Sequence, residues 1–245
     1  MKHPPFYPLV IAIVFALSCS SSYKTEKIQY SSYRIQEANA DHGSLTPIIK
    51  PYSDSVNKLM NAIIGYNEIK LEKKREKNTL GFFITDAYLE MARKKVDVKV
   101  DVAFMNSGGI RLPDLPAGTI TVGKIFELMP FDNLMVSLKL KGSLLKQYLD
   151  TLAATETVVV SGIRTQIVNK TAQQVMVGDK PLDLNAVYTI VHSDYVVMNS
   201  NLLKNIDRKT HDYLLRDAII DYIGFINSQN KKISVLDIDR LSYVN

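Results

Sequence analysis

An amide, a hydroxyl, two glycines and a guanidinium fall together in Asn106-Ser107-Gly108-Gly109-Ile110-Arg111. The apolar run before them, residues 98–105, reads as a buried strand. Glycines permit backbone angles that other residues resist. The stretch therefore predicts a turn at a strand end that presents Arg111, a place where loops commonly carry sites. A guanidinium is a planar fork that matches phosphate oxygens. On residue types alone, the stretch reads first as a common surface Gly-Gly turn that happens to carry an arginine. Phe131, in Met129-Pro130-Phe131-Asp132-Asn133, has the same two readings. It is a core aromatic or a face for a planar ligand, and stacking a base on such a face is worth roughly 1–3 kcal/mol.

Other chemistries find less support. The four histidines, at 3, 42, 192 and 211, are nowhere closer than 19 residues, so no local pair of metal ligands exists. No sequence motif marks a nucleophile with a histidine as its base. The single cysteine, Cys19, excludes an intramolecular disulfide. Thirty Lys and Arg against 25 Asp and Glu leave a net charge of +5 spread along the chain. A nucleic-acid binder gathers such charge on one face, so no nucleic-acid partner is expected. The one dense run, residues 70–77, is interrupted by Glu72 and Glu76 and reads mainly as a solvated segment.

The elements that must position these residues follow from periodicity. Ser53 or Asp54 can cap a helix that puts Val56, Leu59, Met60, Ile63 and Ile64 on one face. A second amphipathic helix is expected over 80–94, a short one over 121–129 and another over 143–154, with a long helix over 212–227. Strands are expected over 134–140, 157–160, 164–168, 173–177, 187–193 and within 233–244, with one more near 28–35. The alternation is not the regular βαβ of a doubly wound sheet, so the class is α+β. Residues 53–245 read as one domain and 19–52 as a linker with a leading strand.

The glycine turn does not stand alone. Thr79-Leu80-Gly81 and Thr85-Asp86-Ala87 precede it, and Ile120-Thr121, the Pro130-Phe131 segment, Val136-x-Leu138 and Lys141-Gly142-x-x-Leu145 follow. This ordered set, over about residues 78–196, resembles the C-terminal, substrate-binding domain of the 5'-nucleotidase family. The resemblance implies a layered α/β/β/α domain and assigns roles by position. Arg111 stands where the family's arginine meets substrate phosphate, and Asn106 where its asparagine touches the nucleoside. Arg75 is the candidate for the second phosphate arginine. Phe131 and Tyr195 stand for the two aromatics that clamp the base, Tyr195 being placed seven residues after Tyr188. The family's next segment is a Gly-Gly-Asp-Gly loop whose aspartate holds the ribose. Here residues 196–202 lack those glycines, and Asn201 lies near the aspartate's place. An amide still forms hydrogen bonds, without the charge assistance that roughly doubles their strength.

The resemblance also implies a two-metal phosphatase in a separate domain of the family. No Asp-x-His or Gly-Asn-His-Asp/Glu motif for one occurs in this sequence. The expected function is therefore the substrate-binding subunit of a split 5'-nucleotidase. It would hold a nucleotide or related phosphate ester for a separate metallophosphatase chain, which would carry the divalent metals. The alternative is a non-catalytic binding or interaction protein with a degenerate nucleotide site. Residues 1–18 run from Lys2 through an apolar core to Ser18, too short to span a bilayer as a helix. Ala16-Leu17-Ser18-Cys19 resembles the bacterial lipobox. The expected product is an exported lipoprotein of the cell envelope, anchored to a membrane through Cys19 and tethered by Ser20-Ser21-Ser22.

Overall fold

Alternating side chains over 134–140 build the strand on which the site depends. In the structure, a computed structural model, it is β6 (Leu134–Lys141). Residues 30–33, 45–96, 99–233 and 239–244 are described. The chain divides into two units, Met1–Ile48 and Ile49–Asn245. In the first, residues 30–33 are exposed and irregular. Cys19, the leader and the rest of the strand expected near 28–35 lie outside the described residues.

The first helix, α1 (Thr46–Met60), begins earlier than its expected cap at Ser53 or Asp54, contains Pro51 and buries no residue. It stops before Ile63 and Ile64, which open a strand instead, β1 (Ile63–Asn67). A β-branched pair suits a pleated surface, and β1 pairs antiparallel with β5 (Gly118–Thr121). A second ribbon joins β2 (Leu71–Glu72) to β4 (Asp114–Leu115).

The second helix, α2 (Thr79–Lys95), has the sequence logic of a buried element. Asn78 caps it by accepting from the Gly81 amide at 2.9 Å, and Arg93, Lys94 and Lys95 face the dipole at its last turn. Two cores meet along it. Phe83, Ile84, Ala87, Tyr88 and Met91 enter the first, whereas Phe82 enters the second.

Between the cores lies a five-stranded sheet of order β12-β6-β11-β3-β7. Its members are β3 (Val102–Phe104), β7 (Val160–Ser161), β11 (Val187–Ser193), β12 (Arg208–Leu214) and β6. Only β11 and β3 are parallel. On one face α2 packs with α6 (Leu215–Ser228) over the first core, joined by the short α3 (Val122–Leu128). The second core lies under α4 (Gly142–Ala154), which touches both this sheet and a four-stranded one. The latter has the order β10-β9-β8-β13 and contains β8 (Ile163–Val168), β9 (Thr171–Val177), β10 (Lys180–Pro181) and β13 (Leu241–Val244). The fold is α+β.

Further expectations change, and the strand expected over 98–105 is confined to Val102–Phe104. The helix expected from residue 212 starts at Leu215, because residues 208–214 are claimed as a strand by the free edge of β6. The strand expected over 157–160 shrinks to Val160–Ser161.

Candidate functional site

The turn after β3 tightens into a single 3-10 turn, Ser107–Gly109. The Gly109 amide donates to the Asn106 carbonyl at 2.9 Å, and the Ile110 amide to the Ser107 carbonyl at 3.2 Å. The glycines serve differently from the expectation: neither has a positive φ. Gly109 is required by close approach, since a Cβ there would collide with the Met105 methyl and come within 3.2 Å of Asn106 Oδ1. Gly108 has ordinary space around it. The turn is anchored by the Arg111 amide, which donates to the Leu128 carbonyl at 3.0 Å, at the end of α3.

Arg111 is exposed, and its guanidinium carbon lies 5.9 Å from the centre of the Phe131 ring. Phe131 is 41% exposed, although a phenylalanine with a core role would be covered. A second cation reaches the same turn. Lys73 follows β2, whose pairing with β4 brings it alongside, and its ammonium donates to the Ile110 carbonyl at 2.9 Å. Partial burial and the Arg111 charge beside it both lower the Lys73 pKa, burial being the larger cause. Two cations held this close repel each other, and an anion between them would relieve that repulsion.

The segment carrying Phe131 is fixed from beneath. Arg216, in the first turn of α6, is almost fully buried. Its guanidinium donates to the Met129 and Phe131 carbonyls at 3.4 Å each and to the Asp132 carboxylate at 2.6 Å. It also lies 4.0 Å over the Phe126 ring. On the neighbouring strand, β11 ends at Ser193 opposite Met135. Asp194 then accepts from the Leu134 amide at 3.2 Å and from the Tyr195 amide at 2.7 Å. Phe131 and Tyr195 therefore stand at the same end of the sheet, Tyr195 59% exposed. This end of the molecule thus offers cations for an anion and open aromatic faces for a planar group.

Residues 56–204 match the family model for the 5'-nucleotidase C-terminal domain. The chain belongs to that family. Among its relatives, a 5'-nucleotidase of Vibrio parahaemolyticus is 27% identical over 198 residues, 76% of this chain and 34% of that protein. The protein UshA of Yersinia enterocolitica is 28% identical over 194 residues, 75% of this chain and 34% of the relative. The chain thus spans about a third of the length of these relatives. Among solved structures, a 5'-nucleotidase precursor from Thermus thermophilus superposes with a TM-score of 0.68 at 26% identity. That match covers 82% of this chain and 43% of the other.

Within this 5'-nucleotidase C-terminal domain, the remaining residues singled out from sequence have distinct surroundings. Asn106 folds over Gly109, and its side-chain oxygen is buried without a hydrogen-bond partner. Arg75 pairs with Glu156 at 2.9 Å and lies 5.0 Å over the Tyr243 ring. It shares a cavity of about 240 Å3 with Lys73, Asn78 and Ser107. Lys73 bonds directly to the Arg111 turn, and Arg75 reaches the same cavity from its pair with Glu156. Asn201 is exposed, and its side-chain oxygen accepts from Lys204 at 3.0 Å. α5 (Asp194–Asn199) carries Tyr195 and buries Val197 in the second core, and Asn201 lies in the turn that follows it.

Three residues were missed by sequence reasoning. Lys73 was hidden in a charged run, and the only signal for it was a basic residue just after a strand. Arg216 looks like any interior residue of a helix expected over 212–227, whereas the helix begins only at Leu215. Asp194 carried a usable signal, an acidic residue at a strand-to-helix junction.

Proposed function

We propose that this domain is the substrate-holding half of a split 5'-nucleotidase. It binds a nucleotide or related phosphate ester and presents it to a metallophosphatase unit for hydrolysis. Arg111 and Lys73 take the phosphate, and the base lies on Phe131 with Tyr195 on its other side. The observation that carries this reading is the Arg111 guanidinium set against a half-open Phe131 ring, their two segments joined by the Arg111–Leu128 backbone bond. Family membership adds support, and hydrolysis of a 5'-phosphate accords with the names of the relatives.

Metal chemistry belongs to the other unit in this reading. Among the described residues, no three His, Cys, Asp or Glu side chains converge as ligands. They therefore do not fit a two-metal site, and no hydrolytic step is assigned to them. This domain's part is to bind and orient, which supplies the proximity that hydrolysis needs.

One observation favours a second reading, a binding protein with a degenerate nucleoside site. Asn201 is occupied by Lys204, and the stretch over 196–202 lacks the glycines of the family's ribose loop. Calorimetry of the full chain with adenosine monophosphate, adenosine and inorganic phosphate separates the two. Nucleotide binding that exceeds binding of either fragment supports the first. Phosphate bound as well as the nucleotide, with adenosine ignored, supports the second. Binding of none of the three overturns both.

A further inference from the structure

A cavity of about 730 Å3 lies against β6, β11 and the segment leading into β12, lined by none of Arg111, Phe131 or Tyr195. Ser137, Lys139, Asp207, Arg208 and Lys209 contribute to its wall. At its Ser137 wall is a pair that no local motif could reveal, because 74 residues separate its members. Ser137 Oγ lies 2.9 Å from His211 Nε2, and both residues are 8% exposed. The ladder between β12 and β6 is irregular between Thr210 and Leu214. Such bulges re-aim side chains, and this one frees His211 to reach Ser137.

A serine bonded to a histidine can act as a nucleophile, but the geometry here argues for binding. Ser137 sits mid-strand, paired with Val191 of β11 on one side and Lys209 of β12 on the other. The amides near it are committed to ladders, so they are not free to stabilise an oxyanion. Burial, with Lys209 as the lesser cause, lowers the His211 pKa and favours the neutral ring. With its proton on Nε2, that ring donates to Ser137 and leaves the hydroxyl proton for a ligand.

We propose that this cavity is a second ligand site, for a small organic phosphate, with Ser137, bonded to His211 behind it, at its inner wall and Lys139, Arg208 and Lys209 around it. The three cations are exposed and form no ion pair among the described residues. With Asp207 counted against them, two positive charges remain, matching a phosphate monoester dianion. The volume falls in the range of about 300–1,000 Å3 typical of small-molecule sites, more than a bare phosphate fills. Ile206 in the wall gives the organic part an apolar surface.

The test is separable from the nucleotide reading because it uses the full-length Arg111→Ala chain, in which the first site is weakened, and reads substitutions that lie outside that site. Calorimetry with glycerol 3-phosphate should show saturable binding, and glycerol should show none. Ser137→Ala in that background should weaken binding about tenfold or more. Lys139→Gln and Lys209→Gln should each weaken it by up to about fivefold. The two lysines are on the surface, so their variants carry the test should Ser137→Ala fail to fold. Absence of binding, or affinity unchanged in every folded variant, overturns the proposal.

Discussion

Arg111, Lys73 and Phe131 owe their arrangement to different causes. Arg111 is presented by a turn whose tight packing excludes any side chain at Gly109. Lys73 arrives through a two-residue ribbon, and Phe131 is left open because a loop follows α3 there. In the proposed function, Arg111→Ala should weaken adenosine monophosphate binding by about 1.5–3 kcal/mol, the range for hydrogen bonds to charged groups. Phe131→Ala should cost about 1–3 kcal/mol of stacking. Lys73→Gln should lose less than Arg111→Ala, since an ammonium lacks the bidentate fork. Calorimetry on the three variants checks this, and nucleotide affinity unchanged in both alanine variants rules the site out. The turn and Phe131 were singled out because the ordered motifs around them resemble the family, whereas residue types alone left each a structural reading. Lys73 was not, because a lysine in a charged run looks solvated until a strand pairing brings it to a partner 37 residues away.

At the scale of elements, the site depends on two helix starts. Asp194 ties the start of α5 to the start of β6, and Arg216 ties the start of α6 to the Phe131 segment. Arg216→Ala should destabilise the domain by about 1–3 kcal/mol, because two carbonyls and a carboxylate lose a buried donor. It should also weaken nucleotide binding without touching ligand. Asp132 has its side chain 77% exposed, so Asp132→Ala should change stability by less than about 1 kcal/mol. Urea melts and calorimetry on both variants test this; wild-type nucleotide affinity in Arg216→Ala would mean that the loop holds itself. Periodicity located α2, β6, α4 and β11 within a residue or two, because each has one face in a core. It failed for α1, whose apolar stripe is not buried in a core, and for β12, whose identity is set by the edge of β6. Thr85-Asp86-Ala87, read only as part of the resemblance, proves structural here. Ser161 donates to Asp86, and the Arg240 guanidinium grips both of its carboxylate oxygens, holding the residues before β13 against α2.

The whole molecule carries two further consequences, one for where it resides and one for how it responds to acid. We propose lipid anchoring through Cys19, so a bacterium fed labelled palmitate should label the wild type and leave Cys19→Ala blank. Equal labelling of the two would refute it. The acid response arises between the cores. His192, on β11, is fully enclosed: its Nε2 lies 2.9 Å from the Tyr148 hydroxyl, and its Nδ1 accepts from the Ser193 amide at 2.7 Å. Phe104 stacks on its ring at 5.9 Å. Burial pushes the His192 pKa down from 6.5 to about 3. The folded state therefore refuses a proton that the unfolded chain accepts between about pH 6.5 and 3. The stability conferred by neutral His192 is complete above the unfolded pKa and is lost as pH falls through that window, at roughly 1.4 kcal/mol per pH unit. Domains of this size hold only about 5–15 kcal/mol in total, so the loss is a substantial part of the stability near the lower end. Urea midpoints measured from pH 7 to 4 should fall steeply for the wild type. In His192→Gln, which keeps an amide for Tyr148 and cannot titrate, stability at pH 7 should be lower and the acid slope shallower. Parallel slopes in the two proteins would place the acid sensitivity in the carboxylates instead.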